Sequence, residues 1–252
     1  MTRPLLPGRN AHDSAQHWGA ARLGAVPALG PRDLARLPPD ERNPLRFLTE
    51  FPSSAYANVL RHACWDVLDS GARRIVAVSS PQRQEGASNA ALALAAISAS
   101  QNRKTVLVDC DLRARTATLA LGQDPARGVW EVSRGDMALE AALIACAPFG
   151  FWLLPAARAQ NAYGDLYSGQ AAQQFLAALR QAFDCVVLDL PPVFVTVDAA
   201  IMARAADACM LVVRRHRTDA AKARRAFLRL RSRAQIPVAL LQNFAPVARI
   251  GS

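Results

Sequence analysis

Val78-Ser79-Ser80-Pro81-Gln82-Arg83-Gln84-Glu85-Gly86-Ala87-Ser88-Asn89 joins the apolar run Arg74–Ser79 to the Ala/Leu-rich stretch Ala87–Ser100. A short apolar block, a polar loop and a series of strong helix formers read as strand, turn and helix. The alternation continues on both sides. Further runs of strand length are Thr105–Asp109, Phe151–Leu154, Cys185–Leu190, Ala208–Val213 and Val238–Gln242. Helical stretches are expected over 53–69, 136–145, 171–181, 198–205 and 219–234. Several runs are unbroken apolar blocks, Val106-Leu107-Val108 and Met210-Leu211-Val212-Val213 among them. Such blocks belong to strands buried on both faces, hence to a parallel sheet covered by helices. The fold class is therefore α/β, a doubly wound, mainly parallel sheet flanked by helices.

In such sheets ligands bind beyond the carboxyl ends of the strands, so the residues that follow each strand carry the functional signal. The second strand leads into Asp109-Cys110-Asp111-Leu112-Arg113, and the strand near 187 into Asp189-Leu190-Pro191-Pro192-Val193. The last strand ends in Gln242-Asn243. Three carboxylates at one sheet edge repel one another unless a cation or an ordered network compensates them. Asp and Ser also cap helices. One such residue therefore carries little, while three beside a loop-to-helix junction favour a Mg-nucleotide site.

In order and spacing these segments resemble the bacterial tyrosine kinases of capsule and exopolysaccharide biosynthesis, relatives of the partition-type ATPases with a deviant P-loop. The resemblance covers roughly residues 53–244. It rests most on the Asp-x-Asp-Leu-Arg and Asp-x-Pro-Pro-Val segments. It implies a P-loop nucleotide-binding fold with Mg-ATP or Mg-ADP held at the strand ends. Asp109 and Asp111 would be catalytic in an active enzyme. Magnesium would be held by Ser88, Asp109 and Asp189. The nucleotide would contact Arg83, Gly86, Ala87, Ser88, Asn89 and, facing adenine, Asn243. No zinc or haem site is expected: the five cysteines form no CxxC pair.

The departures from that pattern are specific. The phosphate loop needs a lysine after its last glycine, and that position is Ala87. A usual glycine is Gln84, and Asn89 stands where Thr is common. The chain has 28 arginines and only two lysines, Lys104 and Lys222. Lys104 precedes the second strand, at the opposite sheet edge, and Lys222 lies in a late basic helix, so no lysine is expected at the loop. A hydrogen bond to a charged group is worth about 1.5–3 kcal/mol, or roughly 10–100-fold in affinity. Nucleotide binding is expected to weaken and phosphotransfer to suffer more, because the lysine also stabilises the transferred phosphoryl group. Arg83 is the candidate substitute. The tyrosine-rich tail of these kinases has no counterpart, the tyrosines being Tyr56, Tyr163 and Tyr167.

Of the 252 residues, 52% are hydrophobic and 20% charged, enough for a sizeable core. The first fifty residues hold seven of the sixteen prolines, and residues 1–44 read as a disordered Pro/Arg-rich tail before a domain over 45–252. The formal charge of +10 is uneven: +2 over 1–50, −1 over 51–202 and +9 over 203–252. Between Arg214 and Arg233 nine residues are basic and one is acidic. Ala220, Ala223, Phe227 and Leu230 share one helix face beneath the basic one. That region suits a solvated face, an anionic membrane surface or an acidic partner. No interleaved aromatics suggest base stacking, and nucleic acid is not the expected partner.

The stretch Ala141–Ala157 has no charge but is broken by Pro148 and Gly150, so it reads as helix end, turn and strand rather than a membrane span. With no export signal, the expected location is cytoplasmic, peripheral at the inner membrane. The resemblance implies a role in exopolysaccharide biosynthesis and export beside an inner-membrane polysaccharide co-polymerase of the chain-length determinant type. The damaged loop makes a pseudokinase-like regulator the leading expectation. A homo-oligomer stays open, although of the kinases' ring-assembly helix only Ala55-Tyr56 and Leu60-Arg61 match. An active atypical ATPase or tyrosine kinase, and a positioning ATPase on DNA or membrane, remain alternatives.

Overall fold

The computed structural model describes residues 18–68, 74–158 and 169–245. Tyr163, Tyr167 and everything beyond 245 lie outside the described residues.

The strands are β1 (Ala21–Pro27), β2 (Arg74–Ser79), β3 (Thr105–Asp109), β4 (Ile144–Cys146), β5 (Phe151–Leu154), β6 (Cys185–Asp189), β7 (Ala208–Arg214) and β8 (Val238–Ala245). They form one sheet in the order β1-β8-β7-β2-β6-β3-β5-β4. Neighbours are parallel except β4, which runs antiparallel to β5. The helices used below are α1 (Pro44–Glu50), α2 (Ala55–Leu68), α3 (Ala87–Ser100), α4 (Thr116–Ala120), α5 (Val129–Arg134), α6 (Gly169–Ala182), α7 (Asp198–Ala203) and α8 (Ala220–Ala234).

The central strands are buried over nearly their whole length because each faces a helical layer on both sides. Along β2, Ile75 and Ala77 join one core with α6, α7 and α8, while Val76 and Val78 join the other with α1, α2 and α3. This is the period-two division of a doubly wound sheet. Helix α3 is buried almost all round, and alanine supplies both its propensity and its close approach. The sheet order sets β2, β6 and β3 side by side. Asp189 thereby becomes the register partner of both Val78 and Asp109, and the carboxyl ends of the three strands meet.

Two expectations need correction. The N-terminal segment is not a tail over 18–44, whereas residues 1–17 lie outside the described residues. Strand β1 is an edge strand paired with β8, with Leu23 and Val26 buried, and α1 adds Phe47 and Leu48 to the core. Composition hid it because an edge strand needs few buried side chains when its main chain is paired; Ala28 N–H still donates to the Ala245 carbonyl at 3.0 Å. The helix expected over 136–145 is shorter. A single turn, Leu139–Ala142, gives way to β4, and Gly150 (φ +76°) turns the chain back into β5. Among the described residues no helix is long and apolar enough to cross a membrane.

Candidate functional site

A cleft of about 530 Å³ opens over the carboxyl ends of β2, β3, β6 and β7. Arg83, Gly86, Ala87, Ser88, Asn89 and Asp111 line it. So do Arg214 and Phe244, which sequence reasoning missed. Arg214 ends β7, and the rule of reading each strand's carboxyl end would have found it.

The loop keeps a tight backbone with unusual side chains. Gln84 adopts φ +63° in place of a glycine, and Gly86 adopts φ +92°. A Cβ on Gly86 would lie 2.0 Å from Asn243 Nδ2, so this glycine is required by contact as well as by conformation. Helix α3 begins at Gly86 with no side-chain cap, which leaves its first N–H groups to the cleft.

The segment joining β7 to α8 grips the loop from behind. Buried Glu85 accepts the Arg214 N–H at 2.6 Å through Oε2 and the Thr218 hydroxyl through Oε1. Burial raises the Glu85 pKa despite those hydrogen bonds. Arg217 donates to the Gln84 side chain at 3.0 Å, and the Lys222 ammonium donates to the Gln82 side chain. The expectation that Lys222 stays away from the loop is therefore wrong. Helix α8 brings its first turn to the loop across 140 residues of sequence, although Lys222 supports the loop without lining the cleft. Lys104 stays at the far edge, over the Phe183 ring.

Asn243 lies behind the loop. Its amide donates to the Glu85 carbonyl at 3.0 Å and its side-chain oxygen accepts the Phe244 N–H at 2.9 Å. Those bonds consume much of the hydrogen-bonding capacity that would face a base. The neighbouring Phe244 ring instead lines the cleft, with the Arg214 guanidinium 4.1 Å from its centroid.

The carboxylates form a graded shelf. Asp111 lines the cleft, accepts the Arg113 and Ala114 N–H groups through Oδ1, and faces Arg83 Nη1 at 3.7 Å through Oδ2. Asp109 lies beneath it, fully buried; its Oδ2 accepts the Thr118 N–H at 2.9 Å and the Thr118 hydroxyl at 2.8 Å. Burial, reinforced by Asp111, pushes the Asp109 pKa up to about 6. Asp189 sits beside Asp109 with its pKa raised by burial first and by the charge of Asp109 second, while the Ser88 hydroxyl lowers it in part. Asp189 Oδ2 is buried without a hydrogen-bond partner. An orphaned carboxylate oxygen next to a hydroxyl at a helix N-terminus fits a hard cation that shares its remaining ligands with water and phosphate. Among the described residues no three His, Cys, Asp or Glu side chains converge to cage a metal by themselves.

An α/β sheet in this order, with a glycine-bearing loop before α3 and aspartates on the adjacent strands, defines the class of P-loop nucleotide-binding proteins. No protein-family model matches the chain. It is 30% identical over 179 residues to the succinoglycan biosynthesis transport protein ExoP of Rhizobium meliloti, 69% of this chain and 23% of ExoP. It is 29% identical over 161 residues to the tyrosine-protein kinase YwqD of Bacillus subtilis, 63% of this chain and 68% of YwqD. The kinase domain of the Escherichia coli tyrosine kinase ETK superposes with a TM-score of 0.82 at 19% identity, over 97% of this chain and 98% of that domain. Cobyrinic acid a,c-diamide synthase of Mycobacterium smegmatis, solved with ADP and magnesium, superposes with a TM-score of 0.52 at 26% identity, over 67% of this chain and 71% of that one. The chain spans under a quarter of ExoP and about two thirds of YwqD. Within the P-loop class it resembles the bacterial tyrosine kinases of capsule and exopolysaccharide biosynthesis.

Proposed function

We propose that the chain is a regulatory member of an exopolysaccharide biosynthesis and export system, a kinase-like protein that binds Mg-nucleotide weakly and transfers phosphate poorly. The observation that carries this reading is Ala87. No lysine lines the cleft where a phosphate loop places one, while the aspartate shelf and the open N-terminus of α3 remain. Bound nucleotide would lie with its phosphates on the first N–H groups of α3 and magnesium at Ser88 and the Asp189 carboxylate. That ion supplies charge neutralisation on the phosphates. In this reading Asp111 would meet the incoming hydroxyl, which its being the only one of the three aspartates to line the cleft supports. Asp109 positions it by accepting the Asp111 N–H at 3.2 Å. The partner proposed is an inner-membrane polysaccharide co-polymerase. The exposed apolar residues Phe194, Val195 and Val197, which follow the cleft-lining Pro192, offer it a surface.

Calorimetric titration with ATP and ADP, with and without magnesium, tests the reading. Ala87→Lys is expected to tighten Mg-nucleotide binding roughly 10–100-fold. Lysine-like affinity in the wild type, left unchanged by the substitution, would refute it.

One observation favours a second reading, an active atypical enzyme. Arg83 lines the cleft within reach of Asp111 and could replace the lysine. It requires Mg-dependent turnover that Arg83→Ala and Asp111→Asn both abolish.

A further inference from the structure

Helix α8 packs Ala223, Ala226, Phe227, Leu230 and Ala234 against the sheet and turns the opposite side to solvent. Ala221, Leu228 and Ser232 run along the middle of that outer side, at helical spacing. Arg224 flanks them on one side, Arg225, Arg229 and Arg233 on the other, while Arg231 turns its guanidinium back over the buried Phe227 ring, 5.9 Å from the centroid. Leu228, although apolar, is 40% exposed at the centre. The helix contains no acid from Ala220 to Ala234, and among the described residues none of these five arginines makes an ion pair. Fifteen residues give a face about 22 Å long. Guanidinium groups that make no ion pair among the described residues, set on either side of one outward leucine, suit a planar, negatively charged surface with an apolar interior. The arginines would lie among headgroup phosphates, and the leucine would enter the boundary beneath them.

We infer that the outer face of α8 docks on an anionic lipid bilayer. An acidic protein partner would satisfy the arginines but gives Leu228 no role. Duplex DNA would use the charges and leave the leucine in water, and no exposed aromatic on this face offers a base a stacking partner. The inference stands apart from the nucleotide reading, since docking needs no nucleotide and its test uses none.

The full-length protein should co-float with phosphatidylglycerol/phosphatidylcholine vesicles at low salt and not with pure phosphatidylcholine vesicles. Each arginine near an anionic surface contributes roughly a fivefold gain in partitioning. The exposed triple substitution Arg224→Gln, Arg225→Gln, Arg233→Gln should therefore weaken binding about 100-fold. Leu228→Glu should weaken it by at least about fivefold, the loss of the partly inserted side chain alone. All four positions are exposed, so circular dichroism and melting temperature should stay close to wild type. The inference is overturned if the protein does not float with anionic vesicles, or if the triple variant floats as well as wild type. It is equally overturned by mixed-sequence duplex DNA binding as tightly as the anionic vesicles at the same salt, or by Leu228→Glu leaving flotation unchanged.

Discussion

The two walls of the cleft have been treated differently. On the carboxylate wall, Asp109, Asp111 and Asp189 keep their places at the ends of β3 and β6, and the unpartnered Asp189 Oδ2 remains costly to hold ionised. On the loop wall, Ala87 and Gln84 offer no cation to the cleft, and the backbone turns through positive φ at Gln84 and Gly86. The loop's shape depends on its own side chains being held: Glu85 by Arg214 and Thr218, Gln84 by Arg217, Gln82 by Lys222. The turn of the loop is thus ordered by the segment that joins β7 to α8.

The sharpest way to break this comparison is at Gly86. Alanine there would force its Cβ against Asn243 at 2.0 Å and hold an L-residue at φ +92°. Conformation and overpacking together should cost about 2–4 kcal/mol. At roughly 2–4 °C per kcal/mol for a chain near this size, melting should fall by several degrees at least. Adding Asn243→Ala should restore part of that loss, because it removes the clash and leaves the backbone strain. A double variant no better than Gly86→Ala would show that the loop is not seated against Asn243.

The carboxylate wall gives the next largest effect, through pH. Both Asp109 and Asp189 have folded-state pKa values raised above the ordinary carboxylate range, chiefly by burial. A raised carboxylate contributes stability that is present below the unfolded value and is lost as pH rises through the folded one. The nucleotide-free protein should therefore melt at a higher temperature near pH 5 than near pH 8, with Asp109 crossing at about 6. Asp189→Asn removes one of the two charges. It should raise stability at pH 8 by about 1–3 kcal/mol and flatten the pH dependence. Thermal melts of both proteins across pH 5–8 check this, and a steeper dependence in the variant would contradict it.

The same contrast decides what could be read from the sequence. Strands β2, β3, β6 and β7 are buried on both faces, so their apolar runs mark them almost to the residue. The aspartates at their ends follow directly. Strand β1 buries only Leu23, Val26 and Pro27 of its seven residues, and its pairing with β8 is a main-chain affair that composition does not record. The support of the loop was hidden for a different reason. Arg214, Arg217, Thr218 and Lys222 lie some 130 to 140 residues from their partners. Only the sheet order, which sets β7 beside β2, brings them together. A lysine placed by helical periodicity in a solvated face proved to have its ammonium on the loop.

The smallest expected effect tests that last contact. Lys222 is half-buried, and replacing it with Met keeps the stem while removing the charged donor to Gln82. A hydrogen bond to a charged group this exposed should be worth no more than about 1 kcal/mol, so melting should move by only a few degrees. Hydrogen exchange resolves what melting does not: amides between 80 and 86 should lose protection in Lys222→Met, while those of Ala87–Ser100 beyond the first turn keep theirs. Local loosening without global loss would mean that the loop owes its order to α8. Unchanged protection would place the support on the remaining contacts, Glu85 with Arg214 and Thr218 and Gln84 with Arg217.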